Sequence, residues 1–175
     1  MEPIVIPDPS LVLLVGAAGS GKSTLAARLF AADEILSSDA LRAVVAGDEA
    51  DQSVTRVAFG ILHRTLDRRL RERRLTVIDA TNALAAHRGP LLRRARAVDV
   101  PVIALVLDLP ATDVHAQNAG RARVVDPSVI DRHLASIRLA IDGGELDREG
   151  YASIVVVRSP ADAAVLELDR RPALP

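Results

Sequence analysis

The chain has 175 residues, 49% hydrophobic and 26% charged, which suits one globular domain over 1–175 built round a single core. A formal net charge of -1 and 2% aromatics exclude a polycation that coats nucleic acid nonspecifically and a binder that stacks bases on aromatic platforms. With no cysteine there is no disulfide framework or thiolate zinc site, and His63, His87, His115 and His133 show no metal-ligand spacing.

In chain order, "LVLLV" (11–15) is an unbroken apolar run ending at glycine, the pattern of a strand buried on both faces of a parallel sheet. A helical pattern follows over 22–31, a short strand at 34–37 and a long helix over 52–74. "LTVIDAT" (75–81) is a second buried strand, followed by a helix over 84–98. "VPVIALVLDL" (100–109) is a third, followed by helices over 111–120 and 127–141. "ASIVVVRS" (152–159) closes the series, with a short helix after Pro160, and Pro172 and Pro175 give the terminus a tail-like composition. Strands alternating with helices predict a three-layer α/β fold with a mostly parallel sheet, whose core spans about 10–170. Right-handed crossovers then place every strand's C-terminal end on one edge, where function is to be sought. No apolar run approaches the roughly 20 residues of a bilayer span, and Met1-Glu2-Pro3 lacks the basic start of a signal peptide. A cytoplasmic protein without a membrane partner is expected.

"GAAGSGKST" (16–24) matches GxxxxGK[ST] at Gly16, Gly21, Lys22 and Ser23, between a buried strand and an amphipathic helix, as a phosphate loop requires. Its backbone, Gly16, Ala17, Ala18, Gly19, Ser20, Gly21 and on into Thr24, is expected to aim N–H groups at one centre and add a helix N-terminus. Lys22, the one lysine beside 21 arginines, is expected to bridge the β- and γ-phosphates of ATP, and Ser23 to bind Mg²⁺. Asp79, at the end of the second buried strand, reads either as a Mg²⁺-holding acid or as a strand-end turn residue. Thr81 and Asn82 read as caps of the helix that follows. "SSDALR" (37–42) reads by itself as a helix start with Asp39 as its cap.

No NKxD-like element of a GTPase is present. One phosphate loop with a late arginine-rich segment, "NAGRARVVDPSVIDRH" (118–133), fits a small kinase whose lid spans about 118–141. Arg121 and Arg123 are expected to close over the phosphates, whereas Arg132 and Arg138 read as surface. The stretch "HRTLDRRLRERR" (63–74) reads as a solvated face, its arginines within helix-pairing distance of Asp67 and Glu72.

Taken in order and at these spacings, "GAAGSGKST", "LSSDALR", "DEADQSVT", "LTVIDATN" and the arginine-bearing lid resemble the kinase module of the bacterial polynucleotide kinase-phosphatase family, over about 10–170. The resemblance implies a P-loop kinase fold and an ATP-dependent polynucleotide 5′-hydroxyl kinase acting on RNA or DNA ends. By that likeness Asp39 is the general base and Arg42 holds the acceptor's adjacent phosphate. Gln52, Thr81 and Asn82 line the acceptor site, Arg158 and Ser159 lie near the adenine, and Lys22 and Arg123 assist transfer. Full enzymes of that family carry phosphatase and ligase-like domains, so a phosphatase or ligase partner is implied. Two other readings stay open: a small-molecule kinase for a sugar, nucleoside or antibiotic, and a regulatory ATPase.

Overall fold

β2 (Leu11–Gly16) is buried at every position because it is the middle strand of a five-stranded sheet and is covered on both faces. The structure, a computed structural model, describes residues 3–45 and 52–172, with no side-chain placement for 52–54. The acidic stretch 48–51 and the side chain of Gln52 lie outside the described residues. β3 (Ile35–Ser37), β4 (Thr76–Asp79), β2, β5 (Val102–Leu107) and β6 (Ser153–Val157) are hydrogen-bonded in that order, every pair parallel. The register pairs Ser37 with Asp79 and Gly16 with Leu107, so the C-terminal ends of four strands meet on one edge.

Strand parity divides the core. Leu11, Leu13, Ile78 and Val102 meet Leu62, Leu66 and Leu70 of α3 (Gln52–Arg71) and Leu91 and Leu92 of α4 (Ala85–Arg96). Val15, Ala104 and Val106 meet Ile137 and Ala140 of α6 (Pro127–Asp142) and Leu146 of α7 (Glu145–Arg148). On the opposite face, Val12, Leu14, Ile103 and Leu105 pack with Leu25 and Ala26 of α1 (Lys22–Leu29) and with Val114 of α5 (Ala111–Ala119). α2 (Ser38–Val45) and α8 (Pro160–Val165) flank the sheet edges.

Two features depart from the sequence-based expectations. β1 (Ile4–Asp8) and β7 (Leu168–Pro172) form a separate parallel two-stranded ribbon, in register from Ile4 with Leu168 to Asp8 with Pro172. A two-stranded ribbon needs no continuous apolar run, and the polar "LDRRP" of β7 gave no such signal. α6 buries Ile130, Leu134, Ile137 and Ala140, so most of the expected lid is core scaffold, and the loop before it together with His133 of α6 faces the site. Among the described residues no helix is long and apolar enough to cross a membrane.

Candidate phosphate and acceptor site

The turn from β2 into α1 carries Gly19 at φ +82° and Gly21 at φ +83°, a left-handed region closed to most side chains. At Gly19 the space is also taken: a Cβ there would lie 3.0 Å from the Val114 carbonyl oxygen and from Asn118 Cβ on α5. The loop is thereby moulded against α5, which brings Gln117 and Arg121 to its rim. Gly16 N–H is committed to the Thr81 carbonyl at 3.0 Å, tying the phosphate loop to the turn after β4.

Lys22 is buried, and its Nζ donates to the carbonyls of Gly16 (2.9 Å) and Ala17 (2.7 Å). Burial pushes its pKa down to about 8, with Arg121 pushing the same way and Asp79 opposing. An ammonium so desolvated is poised for a polyanion, which would restore the charge balance its site lacks. Ser23 Oγ donates to Asp79 Oδ2 at 2.7 Å, and Asp79 is buried. A hydroxyl and a carboxylate at this separation fit Mg²⁺, which takes oxygen donors, few of them carboxylates, and completes its shell with substrate phosphates and water. Among the described residues there is no cluster of three or more His, Cys, Asp or Glu that would suggest another metal.

Two cavities meet at this edge. The first, about 290 Å³, is lined by Gly19, Gly21, Lys22, Ser23 and Asp79. The second, about 500 Å³, is lined by Arg42, Thr55, Arg123, Val125 and His133. Ala18, Asp39, Thr81 and Arg121 line both, so they stand at the junction. Asp39 lies in the first turn of α2 and is not its cap; the Ser37 hydroxyl accepts the Ala40 N–H at 3.3 Å instead. Its carboxylate is thus free of capping and accepts a hydrogen bond from Arg42 Nη2. The i, i+3 spacing puts both on one side of the helix.

A third cavity, about 450 Å³, adjoins the phosphate loop on the other side, lined by Thr24, Leu25, Leu109, Pro160, Ala163 and Ala164 among others. Its apolar walls suit a flat heterocycle better than a phosphate. Arg28, which also lines it, donates to the carbonyls of Leu166 and Ala163 and so fixes α8 to α1.

Several expected site residues stand elsewhere. Asn82 is buried at φ +47°, and its Nδ2 donates to the Leu14 carbonyl at 2.8 Å, so it stitches the turn to β2 and does not line the acceptor cavity. Arg158 is bound to Asp108 at 2.8 Å, and Arg138, exposed as a surface arginine, reaches the same carboxylate at 3.2 Å. Ser159 caps α8, accepting the Asp162 N–H at 3.0 Å, and its neighbour Pro160 lines the apolar slot.

Three contributors were not singled out in the sequence. Arg88 is fully buried: Nη1 donates to the Asn82 and Ala83 carbonyls (3.0 and 2.8 Å), Nη2 to Glu145 and Glu149 (both 2.6 Å), and Nε to Glu149 (2.8 Å). It braces the turn that carries Thr81. Asn118 is buried and closes the arginine loop, donating to the Val125 carbonyl (2.8 Å) and accepting its N–H (3.0 Å). His133 faces the acceptor cavity with Nδ1 unpartnered; burial holds its pKa down, aided by the charges of Lys22 and Arg132. A signal existed for two: Arg88 shares the buried stripe of Leu91, Leu92 and Ala95, and Asn118 lies four residues beyond Val114.

The sequence pattern of the AAA domain family matches residues 11–140, about three quarters of the chain, and the chain belongs to that family. Its fold is that of the P-loop kinases. A chain of the Pnkp1/Rnl/Hen1 RNA repair complex superposes with a TM-score of 0.68 at 20% identity, over 79% of this chain and 47% of that one. This chain therefore spans about half the length of that relative. A putative kinase from Chloroflexus aurantiacus gives 0.62 at 16% identity over 87% and 86% of the two chains, and a gluconokinase from Sinorhizobium meliloti 0.57 at 15% over 91% and 87%. No curated protein matches the sequence significantly. What the family and the fold establish is a P-loop kinase-like domain, for which ATP binding is implied.

Proposed function

We propose that this P-loop kinase-like domain transfers the γ-phosphate of ATP to the 5′-hydroxyl end of a polynucleotide, RNA or DNA, in end healing. The observation that carries the reading is the position of Asp39 at the junction between the Lys22 cavity and a second cavity lined by Arg42, Arg121 and Arg123. A cavity with three arginines suits an acceptor that brings its own phosphate, which a neutral sugar does not. The superposition on a chain of an RNA repair complex agrees with it.

In this reading the nucleoside end of ATP fills the apolar slot beside Pro160, and its phosphates lie on the loop against Lys22, Arg121 and Arg123. The acceptor's adjacent phosphate takes the Arg42 guanidinium and so releases Asp39 from its ion pair. The hydroxyl oxygen then attacks the γ-phosphorus as the bond to the β,γ-bridging oxygen breaks; ADP leaves, and the hydroxyl proton passes to the Asp39 carboxylate. Ser23 and Asp79 would hold Mg²⁺, which would supply neutralisation of phosphate charge. Thr81 lines the acceptor side, and Arg88 holds its turn in place.

The test supplies ATP labelled at the γ-phosphate with 5′-OH oligonucleotides and with a panel of sugars and nucleosides. Label is expected on the oligonucleotides; label on a metabolite alone overturns the reading. Asp39→Ala is expected to lower kcat by about 10²–10⁴, the usual contribution of a general base, with ATP affinity unchanged. Arg42→Ala is expected to raise the acceptor KM about tenfold or more, as for loss of a charge-assisted hydrogen bond, while ATP affinity holds.

A further inference from the structure

The 41 residues from 56 to 96 carry 11 arginines against three acids, Asp67, Glu72 and Asp79, for a net +8; the rest of the chain is therefore at -9 within the total of -1. Much of that positive charge stands in one line. Arg56, Gly60, Arg64 and Arg68 follow one another at i, i+4 along α3, and Arg71 continues the row one turn on, with all four arginines exposed.

Of the pairing that would make this a balanced face, only a long contact from Glu72 to Arg68 is present. Asp67 leans to Arg94 at 3.1 Å, and Glu72 sits 3.8 Å from Arg74 and 4.0 Å from Arg68. Among the described residues, no carboxylate pairs with Arg64 or Arg71. Like charges at i, i+4 cost a helix stability, so the row is held against its own repulsion. Gly60, in the same line, is unexplained by packing: a Cβ there would meet nothing within 4 Å. A mid-helix glycine costs roughly 1 kcal/mol relative to alanine, and what it provides is close approach to the backbone.

The row begins at the acceptor cavity. Thr55, one residue before Arg56, lines that cavity with Arg42, and α3 then runs toward the opposite sheet edge, where β4 begins. At 1.5 Å per residue, Arg56 to Arg71 spans about 22 Å, with successive arginines of the row about 12, 6 and 4.5 Å apart along the axis, within side-chain reach of the phosphates of a stretched single strand. Building on the acceptor reading above, we infer that α3 is the track of the acceptor strand: the 5′ end enters between Asp39 and Arg42, and the following phosphates run down Arg56, Arg64, Arg68 and Arg71. Contacts of this kind are electrostatic and blind to base sequence.

The full chain and its R64Q/R68Q/R71Q variant, all three changes on exposed positions, are compared on a nucleoside 3′-phosphate and on a 12-nucleotide single strand with a 5′-hydroxyl. In the parent protein the longer acceptor is expected to have the lower KM. The variant is expected to raise KM for the 12-mer about tenfold, leave the nucleoside 3′-phosphate unchanged, and flatten the log–log salt dependence of strand binding by about 2. An unchanged 12-mer KM and salt slope overturn the track. Equal binding of polyglutamate and the oligonucleotide, read by fluorescence anisotropy, assigns the row to an acidic protein and also overturns it. A strand that binds, weakens in the variant and is never phosphorylated overturns the kinase reading alone and upholds the track.

Discussion

Ser23 Oγ, in the first turn of α1, donates to Asp79 Oδ2 at the C-terminal end of β4 across 2.7 Å, joining residues 56 positions apart in the chain. Both residues line the cavity that holds Lys22, so the pair offers two oxygens that would suit a divalent cation. Asp79→Asn is expected to raise the Mg²⁺ concentration for half-maximal transfer about tenfold or more, since outer and inner ligands typically carry that much. A Mg²⁺ titration at saturating ATP reads it, and an unshifted midpoint removes Asp79 from the metal site.

Lys22 offers a signed pH test. Its folded pKa, about 8, lies below the unfolded 10.5, so burial of the charge is unfavourable and is fully felt below pH 8. As pH rises from 8 to 10.5 the unfolded chain binds more protons than the folded one, and the penalty fades. Lys22→Met removes the group, so the Tm of the variant minus that of the parent is expected to be most positive near neutrality and to fall through pH 8–10. Thermal denaturation across pH reads the difference; one that does not fall contradicts the depressed pKa. ATP binding near pH 8.5 is expected to take up protons as Lys22 recharges, measured by calorimetry in two buffers of different ionisation enthalpy.

Gly19→Ala meets two obstacles at once, the left-handed φ of +82° and the Val114 oxygen 3.0 Å from the new Cβ. Strained backbone of this kind costs roughly 1–3 kcal/mol, and relief requires the loop to leave α5. Nucleotide affinity is expected to drop about tenfold or more, with the melting temperature lowered by roughly 2–12 °C. A fluorescent ATP analogue measures it.

Arg88→Ala is expected to be among the most damaging changes outside the cavities. It leaves Glu149, 14% exposed, without its cationic partner and with only the Tyr151 hydroxyl, and it frees the carbonyls of Asn82 and Ala83. Breaking such a buried pair costs about 3–5 kcal/mol. For a chain of this size that lowers Tm by roughly 6–20 °C. Glu145→Gln, on a half-exposed carboxylate of the same group, is expected to cost far less. Thermal melts of the two variants rank them, and equal losses would contradict the central place of Arg88.

Much of the site was legible because its chemistry is local. The spacing of "GAAGSGKST" dictates a strand, a glycine turn and a helix N-terminus in immediate succession, and the fold keeps them so. Asp79 is placed by its strand, since an acid ending a buried run emerges at the edge shared with Gly16. Asp39 and Arg42 were legible as neighbours on one helix turn, but not the departure of the capping role to Ser37. Asn82 shows the opposite limit: a polar residue beside a site reads as a site residue until the Leu14 carbonyl is seen to claim it.

Arg138, Arg158 and Asp108 meet although 50 residues separate the outer two positions of the group, and nothing local in any of them announces it. The same holds for the balance of charge on α3. Helical spacing offered Asp67 and Glu72 as partners for the arginine row, and packing against α4 took Asp67 for Arg94. Periodicity and motif spacing thus determined the strand order along the chain of the five-stranded sheet, the phosphate loop and the edge of the sheet on which it sits, because each depends on residues within a turn or a strand of one another. Tertiary structure alone decided which charges are paired, which polar side chains hold the frame and which cavities are continuous, because those depend on distances between segments that no local pattern encodes.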